Sequence, residues 1–236
     1  MKNLEMCIAG FDSSVTSPSA VKFYLDSNYQ VIKSDFIGFS KAKKHTDQKV
    51  IHLDPKLFKS TNEGIDRNIF LKKHLVDFFK DVDVYAMEGY AFGGVGKVFN
   101  LAEFAGMIKS ELFERSVSLR IYTPMSIKKF AAKHGHADKI TMKDAYEALK
   151  VSYKIDLGSY PEVVDGKKGA SPTSDIIDAF FCCEILYQEI LIRYGLKNLS
   201  ELHPKAIEVF NSVDKKGSNN ILSKEFISLV PNFLDK

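Results

Sequence analysis

Four acidic residues stand where strand ends and a helix start would bring carboxylates together. Asp12 ends the first apolar segment of the chain, and Glu88 ends a later one. Asp175 and Asp178 are three residues apart in a segment with a helical pattern, which places both on one face of its first turns. Ligands bind at the carboxyl ends of strands in open α/β sheets. The positions therefore predict four carboxylates in one crevice.

Carboxylates that converge without partners repel strongly, and divalent cations relieve that repulsion. A ligand set made only of oxygens favours Mg²⁺, with Mn²⁺ as a substitute, over Zn²⁺. Two such ions suit in-line phosphodiester cleavage, because one prepares the water nucleophile and the other stabilises the leaving 3′ oxygen. We therefore expect all four acids to be catalytic metal ligands. Taken singly, each is as well explained as an ordinary turn, strand-end or helix-start residue.

The elements that must position these acids alternate between strands and helices. An antiparallel meander is predicted first, followed by strand–helix units, with strands over residues 4–12, 20–25, 30–39, 82–88 and 119–122 and a last long helix over 174–193. This order predicts an α/β core with a mixed five-stranded sheet flanked by helices, as in the ribonuclease-H-like arrangement. Residues 41–60 are polar and basic and are interpreted as an exposed excursion. We expect a nuclease domain over residues 1–195 and a small helical appendage over 196–236.

Composition bounds the class of protein. The 236 residues are 45% hydrophobic and 27% charged, which is typical of a soluble globular chain. The apolar runs are far shorter than the roughly 18 residues of a membrane helix, and the N-terminus lacks the pattern of a signal peptide. Three cysteines, two of them adjacent, provide no disulfide framework. We expect a reduced, cytoplasmic protein that does not bind membranes.

Charge points only locally to nucleic acid. The net charge of +3 is too small to indicate a DNA-binding protein by itself. Between residues 126 and 154, however, seven lysines face only three acidic residues. Such a stripe is either an electrostatic footprint for phosphates or a pair of solvated helix faces. Lys97, after a glycine-rich turn, is a further candidate for a phosphate contact.

Four motifs in this order resemble the RuvC family of Holliday-junction resolvases. They lie at residues 8–14, 86–90, 101–106 and 174–180, and the resemblance spans about residues 4–193. It implies a ribonuclease-H-like fold. It also carries over Asp12, Glu88, Asp175 and Asp178 as metal-binding catalytic acids.

The resemblance also selects candidate DNA contacts. The basic stretch of the family maps onto Lys128, Lys129 and Lys139, although Lys143 could serve equally. An aromatic residue just after the second acid wedges at the crossover in the family. Tyr90 and Phe92 are the candidates here, with packing against the glycine-rich turn as the alternative.

The C-terminal segment resembles a degenerate EF-hand. Asp214 stands at loop position 1 and Glu225 at position 12, but Lys216 and Asn219 replace the usual acid and glycine. We expect a helix–loop–helix without tight calcium binding, packed on the core or on a partner protein.

The leading hypothesis is a Mg²⁺-dependent, structure-selective DNA endonuclease. It would be a Holliday junction resolvase that nicks symmetric strands of branched DNA as a homodimer. One alternative is a nuclease of the same fold that acts on flaps, forks or RNA–DNA hybrids. Another is a non-catalytic DNA-binding scaffold.

Overall fold

The computed structural model describes residues 4–14, 17–40, 49–58, 64–89, 97–157, 172–213 and 220–228. Its strands are β1 (Leu4–Asp12), β2 (Ser19–Asp26), β3 (Val31–Ser40), β4 (Val50–His52), β5 (Val84–Glu88) and β6 (Ser118–Tyr122). Its α-helices are α1 (Ile65–Phe78), α2 (Lys97–Glu114), α3 (Pro124–Ala132), α4 (Lys139–Leu149), α5 (Thr173–Arg193) and α6 (Pro204–Phe210). Short 3₁₀ turns occupy Pro55–Phe58, Leu199–Glu201 and Ile221–Ser223.

The strands form one mixed sheet in the order β4-β3-β2-β1-β5-β6. Strands β1, β2 and β3 are an antiparallel meander, and β5 and β6 continue parallel to β1. The meander and the strand–helix order confirm the predicted α/β class with a mixed sheet and flanking helices.

The sheet has six strands, so the predicted number of five is wrong. The extra strand, β4, lies within the segment interpreted as an exposed excursion and pairs in parallel with the end of β3. Val50 is buried, and the Leu53 amide donates to the Ser40 carbonyl at 2.7 Å. Three residues after a polar run are too few to show the alternation that marks a strand.

The two faces of the sheet carry separate cores. Cys7, Ala9 and Phe11 of β1 pack on the side of α1 and α2, whereas Ile8 packs on the side of α3, α4 and α5. This alternation is the two-residue period of a strand whose faces are both covered. Asp12 is the last residue of β1 and follows the residues that pack into these two cores.

Gly10 lets α5 approach β1 closely. A Cβ at this position would lie 2.1 Å from the Ala179 carbonyl oxygen and 2.3 Å from the Cys183 backbone nitrogen. Both are backbone atoms of α5, so no side-chain rotation relieves the overlap. Because α5 also carries Asp175 and Asp178, this contact sets their distance from β1.

The C-terminal part of the chain packs against the same core. Phe210 of α6 is fully buried, and its ring meets that of Phe130 edge-on, with centroids 6.1 Å apart. Residues 220–228, which we call the C-terminal strap, then run along the edge of β6. Leu119 and Ile227 pair there in an antiparallel bridge.

The strap is a short 3₁₀ turn followed by extended backbone, and residues 229–236 of the expected helix–loop–helix lie outside the described residues. Two arginines hold the backbone carbonyls of the strap. Arg120 donates to Lys224 and Glu225, and Arg193 donates to Ile221 and Lys224. These contacts hold the strap against α5 and β6, and beyond the 3₁₀ turn at Ile221–Ser223 its backbone is extended. The positions of Asp214, Lys216 and Asn219 lie outside the described residues.

A buried carboxylate organises the arginines. Glu189 lies on α5 and accepts from Arg120 at 2.6 Å, from Arg193 at 2.7 Å and from the Tyr122 hydroxyl at 2.6 Å. The Phe226 ring lies against both guanidinium groups, at 4.4 and 5.1 Å from their central carbons. The strap is thus fastened to α5 and β6 by charge-assisted and cation–π contacts.

Among the helices that the structure describes, none has the length and apolar character that crossing a membrane requires.

Candidate metal centre

Neighbouring parallel strands carry the first two predicted acids. Strands β1 and β5 are in register, with Phe11 opposite Met87, so Asp12 and Glu88 follow side by side at the carboxyl edge. The start of α5 brings Asp175 and Asp178 to the same edge. The strands and the helix therefore meet where the sequence predicted a crevice.

Three of the four carboxyl groups form a compact cluster. Asp12, Asp175 and Asp178, all half-buried, each offer an oxygen, and these oxygens lie within 4.8 Å of one another. Glu88 is outside this group of three, but its charge acts on both Asp12 and Asp178. The structure thus brings three predicted ligands together and places the fourth beside them.

The raised pKa values of the clustered acids show that their negative charges are not balanced by positive charge. Burial, then the charges of Glu88 and Asp175, raise the pKa of Asp178 to about 7. Burial, then Asp175, Asp178 and Glu88, raise the pKa of Asp12 well above its usual range. Burial also raises the pKa of Glu88. Only positive charge in the crevice would let all these groups ionise at neutral pH.

Two of the predicted lysines supply part of that charge. Lys128 of α3 favours the ionised forms of Glu88 and Asp178, and Lys139 at the start of α4 also favours ionised Asp178. The Lys139 ammonium donates to the Ser174 hydroxyl at 2.8 Å, next to Asp175. Both lysines therefore lie at the rim of the acid cluster.

The other predicted DNA contacts are placed differently. The Lys129 ammonium lies 2.5 Å from the Glu208 carboxylate of α6, and Lys143 is half-buried one turn beyond Lys139. Lys97 begins α2, but its side chain is outside the described part of the chain, as are Tyr90 and Phe92. Lys129 thus faces the C-terminal part of the protein, unlike Lys128.

Sequence reasoning missed Ser17. Its buried hydroxyl donates to Oδ2 of Asp175, although the two residues are far apart in the sequence. The serine-rich stretch 13–19 indicates a turn and gives no sign of this contact. Ser17 fixes the orientation of the Asp175 carboxylate, whose Oδ1 accepts from the Ser174 hydroxyl at 3.4 Å. Orienting a carboxylate in this way is the usual role of a group that holds a metal ligand.

The start of α4 positions Lys139. The N-cap is Asp138, whose carboxylate accepts from the Thr141 amide at 2.9 Å, and aspartate is among the preferred capping residues. Lys139 is therefore the first residue of α4, next to Ser174 at the acid cluster.

No protein-family model matches the sequence, and no curated protein matches it significantly. Among solved structures, the complex of Thermus thermophilus RuvC with a Holliday junction substrate matches with a TM-score of 0.50 and 16% identity, over 81% of this chain and 97% of that one. This chain has the fold of RuvC. Thermus thermophilus RuvC alone (TM-score 0.49, 16% identity, 80% and 97% covered) and the fowlpox virus resolvase with its Holliday junction substrate (0.43, 15%, 79% and 99%) are also similar. The RuvC fold confirms the ribonuclease-H-like prediction, whereas function has to be argued from the site.

Proposed function

We propose that this protein is a metal-dependent, structure-selective DNA endonuclease that resolves Holliday junctions. The observation that carries the proposal is the cluster of Asp12, Asp175 and Asp178 at the carboxyl edge of a RuvC-like sheet. Lys128 and Lys139 stand at its rim, where phosphates of a bound DNA would approach. Acids that bind metal beside lysines that bind phosphate are the two requirements of a hydrolytic DNA site.

The residues present fit a hard divalent cation. The donors are all carboxylate oxygens and they converge. The raised pKa values of Asp12 and Asp178 show that positive charge is missing among them. Asp12, Asp175 and Asp178 would hold Mg²⁺, or Mn²⁺ in its place, with Glu88 beside them. When bound, such an ion supplies Lewis-acid stabilisation of charge on the scissile phosphate.

The chain's own residues perform the positioning. Ser17 orients Asp175, and Gly10 fixes the distance of α5 from β1. Lys128 and Lys139 attract phosphate and offset the acids. Lys97, Lys129, Lys143, Tyr90 and Phe92 stay proposed as further DNA contacts, with the aromatic residues at the crossover.

Resolution of a four-way junction needs two symmetric nicks, so we propose a homodimer in which each subunit supplies one acid cluster. The cytoplasm is the proposed location. The C-terminal part, including the strap, is proposed as the site for any protein partner.

The test is cleavage of labelled four-way junction, flap, RNA–DNA hybrid and linear duplex, with and without Mg²⁺. We expect the junction to be cut preferentially, and only with the metal. Asp12→Asn should lower the rate by about 10³-fold or more, since metal-based stabilisation contributes several kcal/mol and each 1.36 kcal/mol is tenfold. Junction binding should persist because the lysines remain.

Asp77→Asn is the matched control, since it removes one exposed carboxylate on α1 and should leave cleavage unchanged. Cleavage by Asp12→Asn at the wild-type rate would contradict the site assignment. Preferred cleavage of hybrids or flaps would keep the site and reject the junction as substrate. Binding without cleavage under any metal would make the protein a scaffold.

A further inference from the structure

Lys139 is tied to the acid cluster by a chain of hydrogen bonds. Its ammonium donates to the Ser174 hydroxyl at 2.8 Å, and that hydroxyl donates to Oδ1 of Asp175 at 3.4 Å. The other carboxylate oxygen of Asp175, Oδ2, accepts from the Ser17 hydroxyl. Both oxygens of this acid are therefore held by hydroxyl groups, and one of those hydroxyls has the positive charge of Lys139 beside it.

The backbone that presents Lys139 is anchored on both sides. Asp138 caps α4, because its carboxylate accepts from the amide and the hydroxyl of Thr141 at 2.9 and 2.7 Å. Tyr146, two turns beyond Lys139, is buried, and its ring meets that of Phe180 of α5 edge-on with centroids 5.2 Å apart. The start of α4 is thus fixed against α5, and the exposed Lys139 side chain is placed at the acids by the fold.

The charge of Lys139 acts on more than the acid nearest to it. Burial and the charges of Glu88 and Asp175 raise the pKa of Asp178, and the positive charges of Lys128 and Lys139 oppose that rise. Carboxylate oxygens of the cluster lie within 4.8 Å of one another, so the ionised acids repel. The lysine therefore offsets part of this repulsion in the metal-free protein.

A divalent cation bound at the cluster would be repelled by Lys139. Without metal, the ammonium is attracted by the carboxylates. A metal ion held by the same carboxylates brings two positive charges to their oxygens, close to the ammonium that is bonded to Ser174. Lysine and metal thus balance the same negative charge, and each weakens the interaction of the other with the acids.

We propose that Lys139 is the counter-cation of the acid cluster in the metal-free protein, and that it both stabilises that form and lowers the affinity for a divalent metal. The proposal rests on the proposed metal centre and adds to it a control of metal loading. An ammonium has three N–H donors and Ser174 receives one of them, so a DNA phosphate has donors left on the same group. A phosphate there offsets the charge that opposes the metal.

The test compares the full-length wild type with Lys139→Met, which removes the charge and keeps the length of the side chain. Both proteins are stripped of metal with a chelator and dialysed, and the probe is Mn²⁺ alone, titrated by calorimetry at about 0.1 M salt. The Tm of metal-free Lys139→Met should be lower by about 2–4 °C, because a favourable charge interaction is lost. Mn²⁺ should bind the variant about three- to tenfold more tightly than the wild type.

The opposite signs of these two changes separate the proposed role from others. A lysine that only supports the fold would lower the Tm and weaken Mn²⁺ binding together, and a lysine that only contacts DNA would change neither. Lys139→Arg keeps the charge and should keep both wild-type values, whereas Lys139→Gln should reproduce Lys139→Met. At about 1 M salt, where the Debye length is about 3 Å, the difference in Mn²⁺ affinity should shrink to less than about twofold.

Lys150→Met is the matched control, because it removes one positive charge from the opposite end of α4. Lys150 follows Lys139 by eleven residues, roughly 16 Å along the helix, which is more than the Debye length of about 10 Å at this salt concentration. Its ammonium lies 2.6 Å from the Glu147 carboxylate. The Mn²⁺ affinity of Lys150→Met should therefore stay within about twofold of the wild type.

Unchanged or weaker Mn²⁺ binding by Lys139→Met would overturn the proposal, and so would an unchanged Tm. An equal gain in affinity in Lys139→Arg or Lys150→Met would do the same, because the charge at position 139 would then not be the cause. Failure of the wild type to bind Mn²⁺ up to about 10 mM would overturn the metal centre as well. Wild-type binding that Lys139→Met leaves unaltered would overturn this proposal alone, and no measurement here depends on cleavage of DNA.

Discussion

Gly10→Ala tests how the fold sets the metal centre. Gly10 is paired on both sides, with Val21 of β2 and Ala86 of β5, so β1 cannot move away from α5. The new methyl would lie 2.1 Å from the Ala179 carbonyl oxygen, whereas ordinary contact begins near 3.4 Å. Relief must therefore come from a shift of α5 by roughly 1 Å or more, since backbone atoms cannot rotate aside.

The cost follows from that shift. Overpacking of a core usually costs about 1–3 kcal/mol, and a clash with two backbone atoms belongs at the upper end. About 3 kcal/mol corresponds to a loss of about 6–12 °C in Tm for a chain of this size. Activity should fall further than stability, because a misplacement of about 1 Å in catalytic groups can cost roughly 100-fold in rate.

Gly106→Ala is the matched control. Gly106 lies within α2, is exposed, and a Cβ there would meet nothing within 4 Å. Alanine should stabilise this helix by up to about 1 kcal/mol. The prediction is checked by measuring the Tm and the rate of junction cleavage of both folded variants. If Gly10→Ala keeps the wild-type Tm and cleavage rate, the contact between α5 and β1 does not position the acids.

The other predictions concern charges and the C-terminal strap. Replacing Lys128 and Lys139 with Ala should reduce the slope of log affinity against log salt by about two in a junction-binding titration. Lys72→Ala is the control, because the Lys72 ammonium of α1 is paired with the Glu111 carboxylate and is not a proposed DNA contact, so the slope should change little. Equal slopes in the two variants would contradict the assignment. Native Glu184, with its pKa raised from 4.5 to about 7, keeps a proton that the unfolded chain loses, so wild-type stability should fall as pH rises from about 4.5 to 7. Over that pH range the free energy of unfolding of the wild type, measured with denaturant, should fall by about 3 kcal/mol more than that of Glu184→Gln. Parallel pH profiles of the two proteins would refute this. Phe226→Ala should lower the free energy of unfolding by about 2 kcal/mol and speed hydrogen exchange of the Leu119 amide, which pairs with the strap. Unchanged exchange would show that the Phe226 ring does not hold the strap against β6.

Local pattern was enough for the elements that carry the acids. The strand that ends at Asp12 has the bounds that its apolar run predicted, and the helix that begins at Thr173 starts within one residue of the prediction. Both are long and strongly patterned, which is where periodicity is informative. The convergence of Asp12 with Asp175 and Asp178 followed from element order and the position of strand ends.

Contacts between residues far apart in the sequence could not be predicted from local pattern. The need for glycine at position 10 arises from a helix about 170 residues later in the chain, and the hydrogen bond from Ser17 to Asp175 is equally distant. The course of the strap also depends on distant residues. Arg120 and Arg193 bind its carbonyls, and neither arginine is local to it.

Two acids on α5 show why a raised pKa does not by itself mark a catalytic group. Asp178 and Glu184 both have a pKa near 7, and burial is the largest cause for each. They differ in what surrounds them. Asp178 faces the like charges of Glu88 and Asp175, so its site lacks a cation that several carboxylates would share. Glu184 faces the neutral donors Tyr153 and Gln188, so no like charge there calls for a shared cation. The neighbours, not the size of the shift, distinguish a candidate metal ligand from a buried carboxyl that is hydrogen-bonded within the core.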